Sequence, residues 1–365
     1  MGKKNTNNND NTKPKKSIGR AIFRFFLIIL GLIVGVFLYF WYTFGKTYVY
    51  IPIISKDEYD TIELKSGVSL TGGDVTSAWK DGGHTRVYYD AKHPIIEVAR
   101  KDPNVENILV FGVDSRKTND YKCRTDAMLI VSINKEKDTV KLISLMRDTG
   151  VYYGDTEKTI GNKLNKLNGA YRYGGVGHMI NVINRTFDLD IQRFVMLDFS
   201  SAASVIDICG GVDITVSPGE VKYANEHIDY QNKWSGSNAP HITSSGRQTL
   251  NGVQAVAWSR IRYLDSDFVR TSRQRTLAQA LIEKVSDMNY FEKVILLEKS
   301  TGMFETNMSP KDLMRVGYNG AAGSKNITQY RVPEDNMYKV QKNPWMMIID
   351  FKATNQKLHN FIWGN

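Results

Sequence analysis

Residues 25–44 read FFLIILGLIVGVFLYFWYTF, a run of twenty residues without a charge. A helix rises about 1.5 Å per residue, so a run of that length crosses a hydrocarbon core of about 30 Å. Tyr39, Phe40, Trp41 and Tyr42 at its far end have the chemistry of a headgroup-level aromatic belt. Arg20, Arg24 and five lysines precede it. The positive-inside rule therefore predicts a cytoplasmic N-terminus, with everything after residue 45 outside. A cleaved signal peptide is the competing reading. The run is long for one, and no small-x-small cleavage site follows it.

The formal net charge is +10, but residues 1–44 hold seven basic side chains and one acid, Asp10. Most of the positive charge thus belongs to an Asn/Lys-rich tail that is expected to be disordered, and not to a nucleic-acid-binding face. A hydrophobic content of 42% with 24% charged residues suits a sizeable folded core. The two cysteines, Cys123 and Cys209, are too few for a disulfide framework in a domain this large and lack zinc-site spacing.

The pattern divides the chain into a tail (1–24), the apolar segment (25–44), a linker or accessory region (45–105), a main domain (106–289) and a C-terminal helical extension (290–365). In the linker, 51–55 and 61–64 have the look of short strands. In the main domain, 108–113, 127–133 and 139–145 are short apolar runs, and the polar turn 134–138 predicts a hairpin between the last two. Helical spacing follows at 176–187, then a strand at 194–197. A helix at 200–209 stops at Gly210-Gly211, before a strand at 212–216. Helices are predicted at 251–259 and 271–285. The extension adds helices at 291–299, 310–316 and 350–361 and one strand at 329–332. Interleaved strands and helices predict an α/β sandwich, its sheet covered by helices.

Three clusters carry chemistry. Asp114, in GVDSR, and Asp126, in RTD, close the two ends of the loop between consecutive strands. If the strands are neighbours, the carboxylates can converge on a hard cation such as Mg²⁺; turn chemistry is the plainer alternative. Arg147, in SLMRD, follows a strand, where its fork can meet a phosphate; a surface pair with Asp148 is the alternative. Between Arg260 and Arg275, five arginines occur with only two acids and no lysine. That bias favours bidentate phosphate recognition over general positive charge. Arg270 and Gln274, four apart, share a helix face. The competing reading is a solvated basic helix on anionic lipid. No Walker A loop, GxSxG elbow or HExxH is present.

GVDSR, RTDAMLIVSIN, SLMRD, KLNGAY, GGVDI, LNGVQAVAWSRIRYLDSD and RTSRQR, in this order after an apolar segment, resemble the LytR-CpsA-Psr family over about residues 107–285. The resemblance implies an enzyme of cell-envelope assembly that transfers a glycopolymer from undecaprenyl pyrophosphate to peptidoglycan. It implies an α/β sandwich with a central mixed sheet and a hydrophobic cleft for the lipid. It implies Mg²⁺, with Mn²⁺ as a substitute, on Asp114 and Asp126. Arg124, Arg147, Arg260, Arg262, Arg270 and Gln274 would hold the pyrophosphate, and Arg147, Asp114 and Asp126 would carry the phosphoryl transfer. Val269 stands where many members have Gly before the arginine, which puts the placement of Arg270 in question. A hydrolase that transfers to water and a carrier that binds polyprenyl phosphate without chemistry are the rival functions. No nucleic acid partner is expected.

Overall fold

The structure, a computed structural model, describes residues 30–31, 35, 38–39, 42–58, 79–80, 83–84, 94–113, 123–153, 164–262 and 264–364. The chain divides into two units, Met1–Lys46 and Thr47–Asn365. The tail 1–24, most of the apolar segment 25–44, the strand expected at 61–64, and Asp114 with Ser115 and Arg116 lie outside the described residues. Among the described residues no helix is long and apolar enough to cross a membrane.

The second unit is built on β1 (Val105–Val113), β2 (Thr125–Asn134) and β3 (Thr139–Leu145). All three are rich in Ile, Val and Leu and buried along most of their length, as strands covered on both faces must be. The β2–β3 hairpin forms as its sequence predicts. Asn134 Oδ1 accepts the N–H groups of Glu136 (3.0 Å) and Lys137 (2.9 Å), and Asp138 takes a left-handed φ of 46° to close the turn. The chain continues through α1 (Ala170–Phe187), β4 (Arg193–Asp198), α2 (Phe199–Ile208), β5 (Val212–Val216), α3 (Pro218–Ser235), β6 (Gly246–Leu250) and α4 (Gly252–Ser259). It ends with α5 (Asp267–Asp287), α6 (Tyr290–Lys299), β7 (Glu305–Thr306), α7 (Pro310–Ala322), β8 (Ile327–Val332), β9 (Tyr338–Lys342), β10 (Trp345–Ile349) and α8 (Phe351–Trp363).

The six-stranded central sheet runs β7-β4-β1-β2-β3-β8 and is mixed: β4 lies parallel to β1 and β8 parallel to β3, and the other pairs are antiparallel. Both edge strands, β7 and β8, come from residues 290–365, so the sheet extends past residue 289 and that region is more than a helical extension. One face packs Leu109, Phe111, Ile130 and Ile143 against Ile180 and Ile183 of α1 and Leu358 and Ile362 of α8. The other packs Ile108, Ile133 and Leu142 against Ala278 and Ile282 of α5 and Leu313 and Val316 of α7. Each fully buried side chain of this kind contributes about 1.5–3 kcal/mol.

A third cluster joins α2, α3, α4 and the β5–β6 ribbon around Ile206, Ile228, Trp258 and Ile261. α4 approaches α2 so closely that a Cβ on Gly252 would overlap the Ala203 carbonyl oxygen. α3 was not expected, although Ser217-Pro218-Gly219-Glu220 is a helix-start signature. Pro218 opens the helix, and Glu220 Oε2 accepts the Ser217 N–H at 2.8 Å. Cys209 is buried after α2, with its thiol pushed up to about 11 by burial, and no disulfide joins it to Cys123.

Candidate active site

In the β2–β3 ladder Leu129 pairs with Ser144. Continuing that antiparallel register past the end of β3 brings Asp126 opposite Arg147. Arg147 Nη1 donates to Asp126 Oδ1 at 2.9 Å. The other Asp126 oxygen, Oδ2, meets Arg262 Nη2 at 3.3 Å, from the loop after α4. α5 begins at Asp267, four residues before the expected start, so Arg270 lies in its first turn. Arg270 Nη2 contacts Asp267 Oδ1 at 2.9 Å and donates to the Asp126 carbonyl oxygen at 3.4 Å. Arg147 Nε lies 3.4 Å from Asp148 Oδ2 and 3.5 Å from Asp267 Oδ2. Three arginines and three aspartates thus form one continuous network, and Lys166 joins it through Asp148 at 2.7 Å.

The network is charged and partly buried, from Arg270 at its core to the more exposed Arg262 and Lys166. Arg270 is 2% exposed. Burial pulls its guanidinium down to about 10; Asp267 opposes this, while Arg147 and Arg262 push the same way. It is still a cation at neutral pH. Burial also acts against the Arg147 charge, but Asp267, Asp126 and Asp148 outweigh it and leave that guanidinium above its ordinary value. The Nε atoms of Arg147 and Arg270 are buried and make no hydrogen bond. Arg147 Nε keeps only its longer ion-pair approaches to Asp148 and Asp267, and Arg270 Nε has no acceptor among the described residues, which is uncommon for a buried donor.

Beside the network opens a cleft of about 500 Å³, lined by Arg124, Tyr153, Lys166, Asn168, Arg172 and Tyr173 among others. Its walls mix cations and aromatic rings with Leu164, Pro344 and Met346. Tyr153 and Tyr173 meet edge to face at 4.8 Å, and Tyr153 Oη donates to the Lys166 carbonyl at 2.5 Å. Burial raises the Tyr153 hydroxyl well above its usual value, so it stays protonated.

Of the expected site residues, Asp126, Arg147, Arg262 and Arg270 come together. Arg124 lines the cleft instead. Arg260 caps α4 with its guanidinium 4.0 Å from the centre of the Phe199 ring. Gln274 follows one turn after Arg270 on α5 and is half-buried. Val269 faces outward at 39% exposure, within the helix, and does not disturb Arg270. Asp148 was expected only as a surface partner of Arg147, which it approaches at 3.4 Å, and Lys166 and Asp267 were missed. The last was readable as the first residue of the helix, three before Arg270.

Two further arginines of the cluster build the frame. Arg273 is buried against Glu220 (2.6 Å), Asp265 and the Ile261 carbonyl (3.3 Å). Arg275 reaches Ser144 Oγ at 2.9 Å and Gln329 Oε1 at 3.2 Å, tying α5 to β3 and β8. Among the described residues no group of three His, Cys, Asp or Glu is arranged to hold a metal ion. Asp126 has the donor chemistry for a hard cation, but each of its oxygens already faces a guanidinium.

The model of the LytR_cpsA_psr family matches residues 75–360. The chain belongs to that family. It is 29% identical, over 68% of its own length, to the polyisoprenyl-teichoic acid–peptidoglycan teichoic acid transferase TagV of Bacillus subtilis, and the match spans 61% of that protein. With the TagU transferase of Bacillus cereus strain AH820 it shares 26% identity over 72% of this chain and 79% of the relative. The crystal structure of B. subtilis TagV superposes with a TM-score of 0.56 at 24% identity, covering 72% of this chain and 98% of that one. A structure of TagT bound to LIIa-WTA gives the same score at 21% identity, over 73% and 94%. These likenesses agree with the mixed α/β sandwich described above.

Proposed function

We propose that this member of the family transfers a teichoic-acid-type glycopolymer from a polyisoprenyl pyrophosphate to peptidoglycan. The activity named for the relatives supports the reading, and one observation in this chain carries it: Arg147, Arg262 and Arg270 converge on Asp126, with the buried Arg270 Nε left without an acceptor. The network would bind the two phosphates, with Arg124 in the cleft and Arg260 and Gln274 at its margin. The mixed walls of the cleft would receive the first sugars and the start of the lipid. A peptidoglycan hydroxyl attacks the sugar-side phosphorus, and a new P–O bond forms. The bond to the bridging oxygen breaks, and polyisoprenyl phosphate leaves with that oxygen. The hydroxyl proton passes to a carboxylate of the network, Asp126 or Asp267. Guanidinium groups fixed around the phosphates stabilise the charge that builds on them without reorganising. Asp114 and Asp126 would hold a Mg²⁺ ion, which supplies further neutralisation of phosphate charge when bound. The 25–44 segment would anchor the protein in the cell membrane with residues 47–365 outside.

The test incubates the full chain in detergent with Mg²⁺, a lipid-pyrophosphate-linked saccharide and peptidoglycan oligomers, and follows products by mass spectrometry. A saccharide-phosphate adduct on the glycan, lost in Arg147→Ala, supports transfer. Lipid phosphate released with no adduct would assign a hydrolase. Tight lipid binding without either product would assign a carrier.

A further inference from the structure

α6 is at odds with the rest of the unit. None of its ten residues is buried, yet its sequence is YFEKVILLEK. Tyr290 is 66% exposed, Phe291 76% and Ile295 50%. Phe291 and Ile295 are four apart and share one face. The acids Glu292 and Glu298 balance the bases Lys293 and Lys299, so charge does not explain the exposure. A surface helix that offers aromatic and aliphatic side chains to solvent marks an interaction face.

What covers it follows from where the chain enters the unit. Thr47 is 1% exposed. Its Oγ1 accepts the Gly302 N–H at 2.6 Å, and its carbonyl accepts the Thr306 N–H at 3.0 Å. Val49 N–H returns a bond to the Thr306 carbonyl at 2.8 Å, and Thr306 Oγ1 donates to Phe194 O on β4. The entering segment is therefore pinned to the loop directly after α6 and to β7. In sequence, only Gly45 and Lys46 separate the pinned Thr47 from the uncharged segment 25–44. Three residue steps reach at most about 11 Å, and α6 itself is about 15 Å long. Tyr48 (42%) and Tyr50 (66%), next along the entering segment, are exposed as well.

We propose that α6, with Tyr48 and Tyr50, lies in the lipid–water interface of the bilayer that segment 25–44 crosses, and so holds the unit against the membrane in one orientation. This rests on the anchor proposed above. The seating is apolar, since the helix carries balanced charges, and is insensitive to salt. Tyr and Phe are suited to the headgroup boundary, where one end of the ring is apolar and the other wet.

The full chain is reconstituted into phosphatidylcholine vesicles with Cys123→Ser; Cys209 is buried and labels slowly. An environment-sensitive dye is attached at Phe291→Cys or Ile295→Cys, at Arg247→Cys on β6 as an exposed comparison, and at Tyr39→Cys in the apolar segment. Nitroxide-labelled lipids are the quencher. The expected result is strong quenching at 39, 291 and 295, unchanged by high salt, and little at 247. Quenching at 39 without quenching at 291 or 295 would overturn the proposal and leave the anchor standing. Quenching at none would overturn the anchor first, and the proposal with it. A blue shift at 291 that grows with protein-to-lipid ratio, without lipid quenching, would assign the face to a second copy and overturn it.

Discussion

Arg270→Met separates the stability of the empty site from its function. Arg270 is 2% exposed, and its guanidinium falls from its ordinary value to about 10 because burial strips its hydration faster than Asp267 restores it. A shift of that size corresponds to roughly 3 kcal/mol by which burial of the cation destabilises the empty fold. The sign follows from the direction: a base with a depressed folded value carries its full burden below about pH 10. Relief comes only as pH rises from there towards the ordinary guanidinium value. At neutral pH the whole burden is present. Methionine fills a similar volume without a charge. It deprives Asp267 of one partner, but Asp267 keeps Arg147 at 3.5 Å and sits in the first turn of α5, where the helix dipole favours an anion. The variant is therefore expected to be more stable by about 1–3 kcal/mol, or a rise in Tm of roughly 2–6 °C for a unit of this size. Calorimetry of the full chain in detergent measures it. Added inorganic pyrophosphate with Mg²⁺ should raise the Tm of the native chain more than that of the variant, because ligand stabilisation scales with affinity. A variant less stable than the native chain would refute the reasoning, for it would mean that the Asp267 contact outweighs burial.

Arg147→Ala should lower transfer on the order of 10²–10³-fold, while circular dichroism stays native because Asp126 keeps Arg262. Arg273→Ala should destabilise by about 3–5 kcal/mol, since Glu220 is left buried without its cation. Urea unfolding reads that loss, and Arg273→Lys should not restore it because a lysine cannot serve Glu220 and Asp265 with one planar fork. Gly252→Ala should cost about 2–3 kcal/mol by forcing α4 away from the Ala203 carbonyl; an unchanged midpoint would show that α2 can yield.

How much was legible depended on range. The hairpin was readable because apolar runs and a polar turn are local, and its register already implied the Arg147–Asp126 pair: each step back from the turn advances one strand as it retreats along the other. The five-arginine stretch was readable as chemistry but not as roles. Arg273 and Arg275 differ from Arg262 and Arg270 only in what the fold sets opposite them: Glu220 on α3, Ser144 on β3 and Gln329 on β8. Those partners lie 53, 131 and 54 residues away in sequence. The same limit hid β7, which is two residues long, and the place of β8: a strand was expected at 329–332, but its parallel pairing with β3 is a long-range fact. α3 was missed for a different reason. Its interior is polar, with Glu220, Ala224, Ile228 and Gln231 its buried residues, so hydrophobic spacing was weak while the Ser-Pro-x-Glu start was plain.

Charge balance in the network bears on the order in which ligands enter on the proposed reading. Arg147, Arg262, Arg270 and Lys166 face Asp126, Asp148 and Asp267, an excess of one positive charge. A pyrophosphate diester brings two negative charges, so binding it alone would leave the network net negative. A divalent cation alone would bring it to three positive. Either ligand by itself adds uncompensated charge to a partly buried site, and the two together return the site to its starting balance. Their affinities should therefore be coupled, and coupling in binding is reciprocal. Each oxygen of Asp126 already faces a guanidinium, so a cation taken up there loosens Arg147 or Arg262. The arginine so released is the one a phosphate oxygen can then occupy. Titration calorimetry of inorganic pyrophosphate into the full chain, with and without Mg²⁺, reads the coupling without any turnover. Equal affinity in the two titrations would mean that the network accommodates the anion alone, and the exchange at Asp126 would fall.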